Sequence, residues 1–136
     1  MNIRLLVLVA WVALTVVGCG QETKLVPVSG HVTLDDAALS AGSVLFVPDE
    51  TKGNNSQISP RGMIDSQGNY ELFSDGKKGA PAGWYKVVVS LTSPGLPPPP
   101  KGATMDFKFQ HPERTDLAVE VEPQPQPGAY DLKLTK

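Results

Sequence analysis

The chain has almost no cysteine: Cys19 is the only one among its 136 residues. A single thiol cannot form an intrachain disulfide, so a hydrophobic core must stabilise any folded domain. The lack of further thiolates also argues against a structural zinc site, because such sites use four cysteine or histidine ligands. The two histidines, His31 and His111, are distant in the sequence. We therefore expect no metal ion and no cofactor.

An excess of positive charge is also missing. Twelve basic side chains stand against fourteen acidic ones, and the net charge is −2. Nucleic-acid-binding domains carry a clustered basic patch or stripe, and none is visible here. We expect no nucleic-acid partner. Apolar residues with a sustained helical period are absent as well, which argues against an α-helical domain.

The longest uncharged apolar run is short and lies near the start of the chain. It covers residues 5–17 and follows a weakly positive beginning at Arg4. A membrane-spanning helix needs about 20 apolar residues, whereas the hydrophobic region of a signal peptide has about 7–15. The run ends at the four residues Val16, Val17, Gly18 and Cys19. The pattern predicts a signal peptide over residues 1–18.

These four residues resemble the bacterial lipobox. The resemblance implies a diacylglyceryl group, with palmitate-type chains, on the sulfur of Cys19 and cleavage between Gly18 and Cys19. Several acyl chains bind a membrane much more firmly than one chain. An ordinary cysteine near a secretory signal or a membrane anchor is the alternative. We expect a lipidated tether over residues 19–25 and one domain over residues 26–136, facing the periplasm or the cell exterior.

The rest of the chain alternates apolar and polar residues with period two, which predicts an all-β domain. About seven strands at this spacing are typical of a single antiparallel β-sandwich of the immunoglobulin-like kind. The predicted strands cover residues 26–34, 43–47, 57–65, 70–72, 84–91, 117–122 and 130–134.

The connections carry turn residues and proline. Residues 65–69 predict a hairpin turn in which Gly68 adopts a positive φ. Asp35 and Asp36 end the first strand with turn chemistry. Residues 75–83 are predicted to form a loop, and residues 93–102 contain five prolines that favour a polyproline-like excursion.

Five segments resemble carboxypeptidase regulatory-like domains, in particular those of small lipoproteins numerous in planctomycetes. The resemblance implies a transthyretin-like β-sandwich that accompanies other activities and performs no chemistry itself. Asp35 and Asp36 depart from the tighter Asp-Gly turn usual in that family, which affects the shape of this loop. The segments are VSGHVTL at 28–34, GSVLFVP at 42–48, DSQGNY at 65–70, PAGWYKVVV at 81–89 and FQHPERTDLAVEV at 109–121.

No catalytic set is visible, so we expect that the protein is not an enzyme. Transthyretin-like hydrolases use paired histidines, an arginine and a carboxy-terminal Tyr-Arg-Gly-Ser run, and the end of this chain lacks that run. His31 and His111 are predicted to be separate, solvated histidines. No Gly-x-Ser-x-Gly elbow occurs. Asp35, Asp36 and Asp65 carry oxygen ligands suited to calcium, but turn formation explains all three.

The candidate binding surface consists of Trp84 and the prolines Pro97, Pro98 and Pro99. Strand parity places Trp84 opposite the core, where its ring could stack on a sugar or on a protein partner. Alternatively, the proline-rich segment folds over Trp84 and hides it. Prolines 97–100 are expected to form a stiff spacer or covering loop in preference to a ligand for an aromatic groove.

These observations predict a lipid-anchored, non-catalytic domain with a structural or protein-interaction role in the cell envelope. Its expected partners are the membrane, through the anchor, and an envelope protein or a polysaccharide. A carbohydrate-binding module that uses Trp84 is the alternative function, and a transthyretin-like hydrolase is a third. The oligomeric state is left open.

Overall fold

The computed structural model describes residues 23–92, 94–95, 98–99 and 101–136. The predictions for the signal peptide, for Gly18 and Cys19 and for Pro97 therefore concern residues outside the described part. Within the described part, no helix combines the length and apolar character needed to cross a membrane.

The described residues form twelve β-strands and two short 3₁₀ helices. The 3₁₀ helices are Glu50–Lys52 and Phe107–Gln110. The strands are β1 (Leu25–Val26), β2 (Ser29–Leu34), β3 (Ala37–Ala38), β4 (Ser43–Pro48), β5 (Arg61–Met63), β6 (Asn69–Glu71), β7 (Phe73–Ser74), β8 (Lys77–Lys78), β9 (Ala80–Pro81), β10 (Gly83–Ser90), β11 (Ala118–Val121) and β12 (Leu132–Leu134).

Two main sheets pack face to face, as the alternating pattern predicted. The larger sheet has six strands in the order β11-β10-β4-β5-β7-β8, and all its neighbours are antiparallel. The second sheet places β2 between β12 and β3, and β6 also pairs with β2. The predicted all-β sandwich is confirmed, with one addition: the final strand β12 runs parallel to β2.

The core lies between the two sheets. On β10, Tyr85, Val87 and Val89 are fully buried, and the residues between them face outward. Phe46 of β4 packs against Tyr85, with ring centres 5.6 Å apart. Each such large apolar side chain contributes about 1.5–3 kcal/mol when it is fully removed from water. Burial on alternate residues is therefore what fixes the register of the larger sheet.

Some predicted boundaries were wrong. The first strand is interrupted at Pro27, which has no N–H to donate, so β1 pairs with β9 while β2 joins the second sheet. Leu25, expected in the tether, is already part of β1. The strand expected over residues 57–65 is reduced to β5, and the residues before it form a loop.

Three turns decide how the strands connect. Gly68 has φ 84°, which confirms the predicted hairpin turn. Asp35 and Asp36 have φ 49° and 65° and join β2 to β3 through a two-residue turn of the I′ kind. The loop prediction for residues 75–83 was wrong, because Asp75 and Gly76 form a second such hairpin between β7 and β8, and β9 and the start of β10 also lie in this range.

Candidate functional site

An apolar groove crosses the outer face of the larger sheet. The strand register places Leu45, Arg61 and Phe73 in one row across β4, β5 and β7, and Met63 lies beside this row opposite Ser43. We call this feature the outer-face groove. It has a volume of about 590 Å³ and is lined by Ser43, Val44, Leu45, Arg61, Gly62, Met63, Glu71, Phe73 and Pro94.

Two large apolar side chains in the groove are open to solvent. Met63 is 53% exposed and Phe73 is 42% exposed. Single exposed apolar residues are normal, but two that share a groove with Leu45 form a contiguous patch, and such patches mark interaction sites.

A close backbone contact holds these side chains outward. Gly62 lies between Arg61 and Met63 and faces inward, and a Cβ atom placed on it would lie 2.1 Å from the carbonyl oxygen of Glu71. Only glycine lets the two backbones approach in this way. The contact holds β5 close to Glu71, the last residue of β6, and thereby sets the floor of the groove.

The groove also carries a positive charge. Arg61 is exposed at its centre and forms no ion pair with any described residue. Glu71 is instead bonded to Lys78, with 2.7 Å between the carboxylate oxygen and the ammonium nitrogen. The groove can therefore take an apolar group together with a carboxylate, which a guanidinium binds in bidentate fashion.

Trp84 lies on the same outer face, as strand parity predicted, but a loop partly covers it. The ammonium nitrogen of Lys52 lies 3.9 Å from the centre of the Trp84 ring. The backbone carbonyl of Trp84 accepts hydrogen bonds from the Asn54 side-chain amide at 2.8 Å and from the Asp49 N–H at 3.0 Å. Residues 49–54 therefore hold Lys52 against the indole.

The same loop is ordered by Asp49. Its carboxylate accepts hydrogen bonds from the hydroxyl and the N–H of Thr51 and so caps the 3₁₀ helix. The Thr51 hydroxyl bond is the largest contribution that lowers the pKa of Asp49 below its ordinary value. The loop that covers Trp84 is thus fixed at its first residue.

The structure separates Trp84 from Pro94, the first proline of the proline-rich segment. Trp84 stands at the start of β10, while Pro94 follows the end of that strand and lines the outer-face groove. Six strand residues separate the two ends by about 20 Å. Pro98 is exposed and Pro99 is partly buried. The ammonium nitrogen of Lys52 is the group seen over the Trp84 ring.

The β11 edge beyond Trp84 is acidic. Glu120 pairs with Trp84 in the strand register, and Glu122 follows just after β11. Desolvation, followed by the neighbouring Glu122 carboxylate, raises the pKa of the exposed Glu120, while Lys52 opposes this shift. We call Glu120 and Glu122 the acidic edge.

The structure places the two histidines in different environments. The ring of His31 lies 3.3 Å from the side-chain oxygen of Asn69. The ring of His111 packs on Phe107, with centres 4.2 Å apart, and its Nδ1 lies 3.5 Å from a Glu113 oxygen. Nothing in the described residues links the two histidines.

The aspartates considered for calcium serve the turns. One oxygen of the Asp65 carboxylate accepts the N–H groups of Gln67 and Asn69, each at 2.9 Å. The carboxylate of Asp35 accepts the N–H of Lys136 at 3.3 Å. Across the described ranges, no three histidine, cysteine, aspartate or glutamate side chains are grouped as metal ligands.

Comparison with known proteins gives no relative. No protein-family model matches the chain, and no curated protein or solved structure is detectably similar to it. The resemblance to carboxypeptidase regulatory-like domains therefore stays a prediction.

The outer-face groove was missed in the sequence, although a signal for it exists. Met63 and Phe73 are apolar residues at outward positions, each next to an inward residue: Gly62 and Ile64 flank Met63, and Leu72 precedes Phe73. The alternating pattern predicts a polar residue at each outward position. An apolar residue at such a position is the feature that could have indicated this patch.

Proposed function

We propose that the chain is an exported, lipid-anchored, non-catalytic β-sandwich that binds another protein of the cell envelope through its outer-face groove. The observation that carries the binding role is the joint exposure of Met63 and Phe73 in one groove. Export and anchoring are supported by the signal-like run at residues 5–17 and by the lipobox resemblance that ends at Cys19.

The chemistry of the groove defines the partner. Phe73 and Leu45 flank Arg61 in one row, so a bound segment meets apolar surface on both sides of a cation. The partner we infer is an apolar polypeptide segment with one acidic side chain for Arg61. Full burial of a side chain such as Phe73 or Met63 contributes about 1.5–3 kcal/mol each, before the costs of association.

The resemblance to carboxypeptidase regulatory-like domains supports a role without chemistry. Carbohydrate binding through Trp84 stays a prediction, and Lys52 weighs against it because it occupies one face of the ring. A sugar that stacks on that face would have to displace a cation held by the capped loop at Asp49.

Anchoring is tested by palmitate labelling and fractionation of the full chain and of a Cys19→Ser variant. We expect the wild type to incorporate labelled palmitate and to sediment with membranes. The variant should incorporate none and should stay unprocessed or leave the membrane fraction. If both proteins label and fractionate alike, the lipid anchor is wrong.

Groove binding is tested by a photo-crosslinking amino acid placed at Phe73 in living cells. Phe107 provides a matched control, because it is also an exposed phenylalanine, at 56%, and does not line the groove. We expect one discrete crosslinked protein from position 73, none from position 107, and loss of the product in an Arg61→Glu background. Identical products from both positions, or a product unaffected by Arg61→Glu, would contradict the proposal.

A further inference from the structure

The outer-face groove contains the one exposed methionine among the described residues. Met63 is 53% exposed, whereas Met105 is 9% exposed and belongs to the hydrophobic core. These two are the only methionines after Met1 in the chain. Oxidation of a methionine requires contact between its sulfur and the oxidant, so it follows the exposure of the side chain. An oxidant in solution can therefore reach Met63 and is kept away from Met105.

Met63 is accessible from two sides. It lines the outer-face groove, and it also lines a second hollow of about 320 Å³, together with Asp65, Asn69 and Glu71. A hydroperoxide is a small molecule, so it can approach the thioether from either hollow. The position of Met63 between them leaves its sulfur open to such a reagent.

The fold does not depend on the apolar character of Met63. In β5 the buried position is Gly62, and Met63 lies at an exposed position on the outer face. A polar group costs little at an exposed position of a strand, whereas the same group in the core would lose its hydration. Oxidation of Met63 therefore changes the groove and leaves the sandwich intact.

The reaction at Met63 is an oxygen transfer. The thioether sulfur attacks one oxygen of a hydroperoxide, the O–O bond breaks and an S–O bond forms. The sulfur is oxidised by two electrons to the sulfoxide, and the hydroperoxide is reduced. A proton reaches the leaving oxygen, which departs as water from hydrogen peroxide or as an alcohol from an organic hydroperoxide. The product is a polar side chain in place of an apolar one.

A sulfoxide at Met63 opposes the partner that the groove fits. The inferred partner presents an apolar segment, which gains free energy where it meets apolar surface. The sulfoxide oxygen holds water, and a bound apolar segment would remove this water without replacing its hydrogen bonds. Leu45 and Phe73 stay apolar, but they no longer form a continuous apolar surface with position 63. The oxidised groove therefore binds the segment more weakly.

We propose that Met63 is an oxidation site that regulates the outer-face groove: a hydroperoxide converts its thioether to the sulfoxide, and the groove releases its apolar partner. This regulation rests on the groove binding proposed above and adds a redox dependence to it. The change is reversible by methionine sulfoxide reductases, in which two thiols are oxidised to a disulfide and the oxygen leaves as water.

The first test locates the oxidation in the lipidated full chain. The protein is treated with dilute hydrogen peroxide and digested with trypsin, which places Met63 and Met105 in separate peptides, residues 62–77 and 102–108. Mass spectrometry should find one added oxygen atom on the first peptide under conditions that leave the second unchanged. Equal oxidation of the two peptides would overturn the selectivity on which the proposal depends.

The oxidised protein should stay folded and should be repairable. We expect its melting temperature to differ from that of the untreated protein by less than about 3 °C, as for a surface substitution. Methionine sulfoxide reductases with dithiothreitol should then remove the added oxygen. A much larger fall in melting temperature, or a sulfoxide that the reductases leave in place, would show damage and overturn regulation.

The second test measures binding in living cells that carry the photo-crosslinking amino acid at position 73. Hydrogen peroxide added before irradiation should lower the yield of crosslinked protein about tenfold, because the burial of one large apolar side chain is lost. Met63→Leu keeps an apolar side chain without sulfur and should preserve the product after peroxide. Met63→Gln places a permanent polar group there and should lower the product without peroxide. Met105→Leu is the matched control and should respond to peroxide as the wild type does.

The outcomes separate the regulation from the groove binding itself. A product that persists although Met63 carries the sulfoxide overturns the regulation and leaves the proposed function standing. A product that peroxide removes equally from the Met63→Leu variant also overturns it, because the oxidised group then lies elsewhere. If untreated wild-type cells give no product from position 73, groove binding is wrong, and the regulation fails with it.

Discussion

The ammonium nitrogen of Lys52 lies 3.9 Å from the centre of the Trp84 ring, on the outer face of the larger sheet. The contact joins a capped 3₁₀ helix to the first residues of β10. Strand parity alone would leave the outward-facing Trp84 ring open to solvent. The contact with Lys52 covers one face of this ring. The open apolar surface of this sheet therefore lies at Met63 and Phe73, and not at Trp84.

Removal of this cation should open Trp84 to solvent. In the mature chain Trp84 is the only tryptophan, because Trp11 belongs to the predicted signal peptide. We expect Lys52→Ala to increase acrylamide quenching of tryptophan fluorescence and to lower the free energy of unfolding by about 0.5–1 kcal/mol, the usual size of an exposed cation–π contact. Lys133→Ala serves as the control. Unchanged quenching in Lys52→Ala would show that the contact does not form in solution.

The backbone contact at Gly62 should tolerate no side chain. We expect Gly62→Ala to lower the free energy of unfolding by more than about 3 kcal/mol, because its Cβ would collide with the Glu71 carbonyl and force the strands apart. Gly53→Ala is the matched control: it has φ 85° but no atom within 4 Å of a new Cβ. It should therefore cost only the about 1–2 kcal/mol of the left-handed conformation. Urea unfolding compares the two, and equal losses would contradict the steric account.

The turn at Asp35 and Asp36 should accept glycine at its second position. Asp36 is exposed and has φ 65°, a conformation that glycine adopts without strain. We expect Asp36→Gly to raise the free energy of unfolding by about 0.5 kcal/mol, since relief of strain slightly exceeds the entropy of the unfolded glycine. Asp36→Val should lower it by at least about 1 kcal/mol, because a β-branched residue fits φ > 0 poorly. Thermal unfolding of both variants checks this order, and a more stable valine variant would refute the turn geometry.

Asp65 should make the hairpin sensitive to acid. The N–H group of Asn69 is the largest cause that lowers the pKa of Asp65 below its ordinary value of 3.8, and the N–H of Gln67 adds to it. Because the folded pKa is depressed, the stabilisation is fully present above the ordinary value and is lost as the pH falls through the lower folded value.

The comparison of wild type with Asp65→Asn tests this linkage. We expect the wild type to lose more stability than the variant between about pH 6 and about pH 2, since the amide keeps an acceptor oxygen but does not titrate. Asp36→Asn removes the same charge without touching those two hydrogen bonds and should follow the wild type. Parallel pH profiles for wild type and Asp65→Asn would contradict the prediction.

The strands with one buried face were predictable because their alternation is local. Tyr85, Val87 and Val89 form an uninterrupted period-two run, and each is buried where the run places it. The weaker strand over residues 57–65 was overestimated, because Pro60 has no N–H to donate: its carbonyl still accepts the Phe46 N–H at 2.8 Å, and β5 begins only after it. The dipeptide Asp75-Gly76 is typical of a hairpin turn, but the prediction placed both residues in a longer loop.

The sequence by itself determined the β class, the inward and outward phase of the main strands, the turn at Gly68 and the place of Trp84 on the outer face. Each of these depends on residues that are neighbours in the chain. Only the tertiary structure decided that Lys52 covers Trp84, that Gly62 meets Glu71, and that Met63, Phe73 and Pro94 share one groove. These relationships join residues from separate strands and loops, and strand order and register, which no local pattern encodes, bring them together.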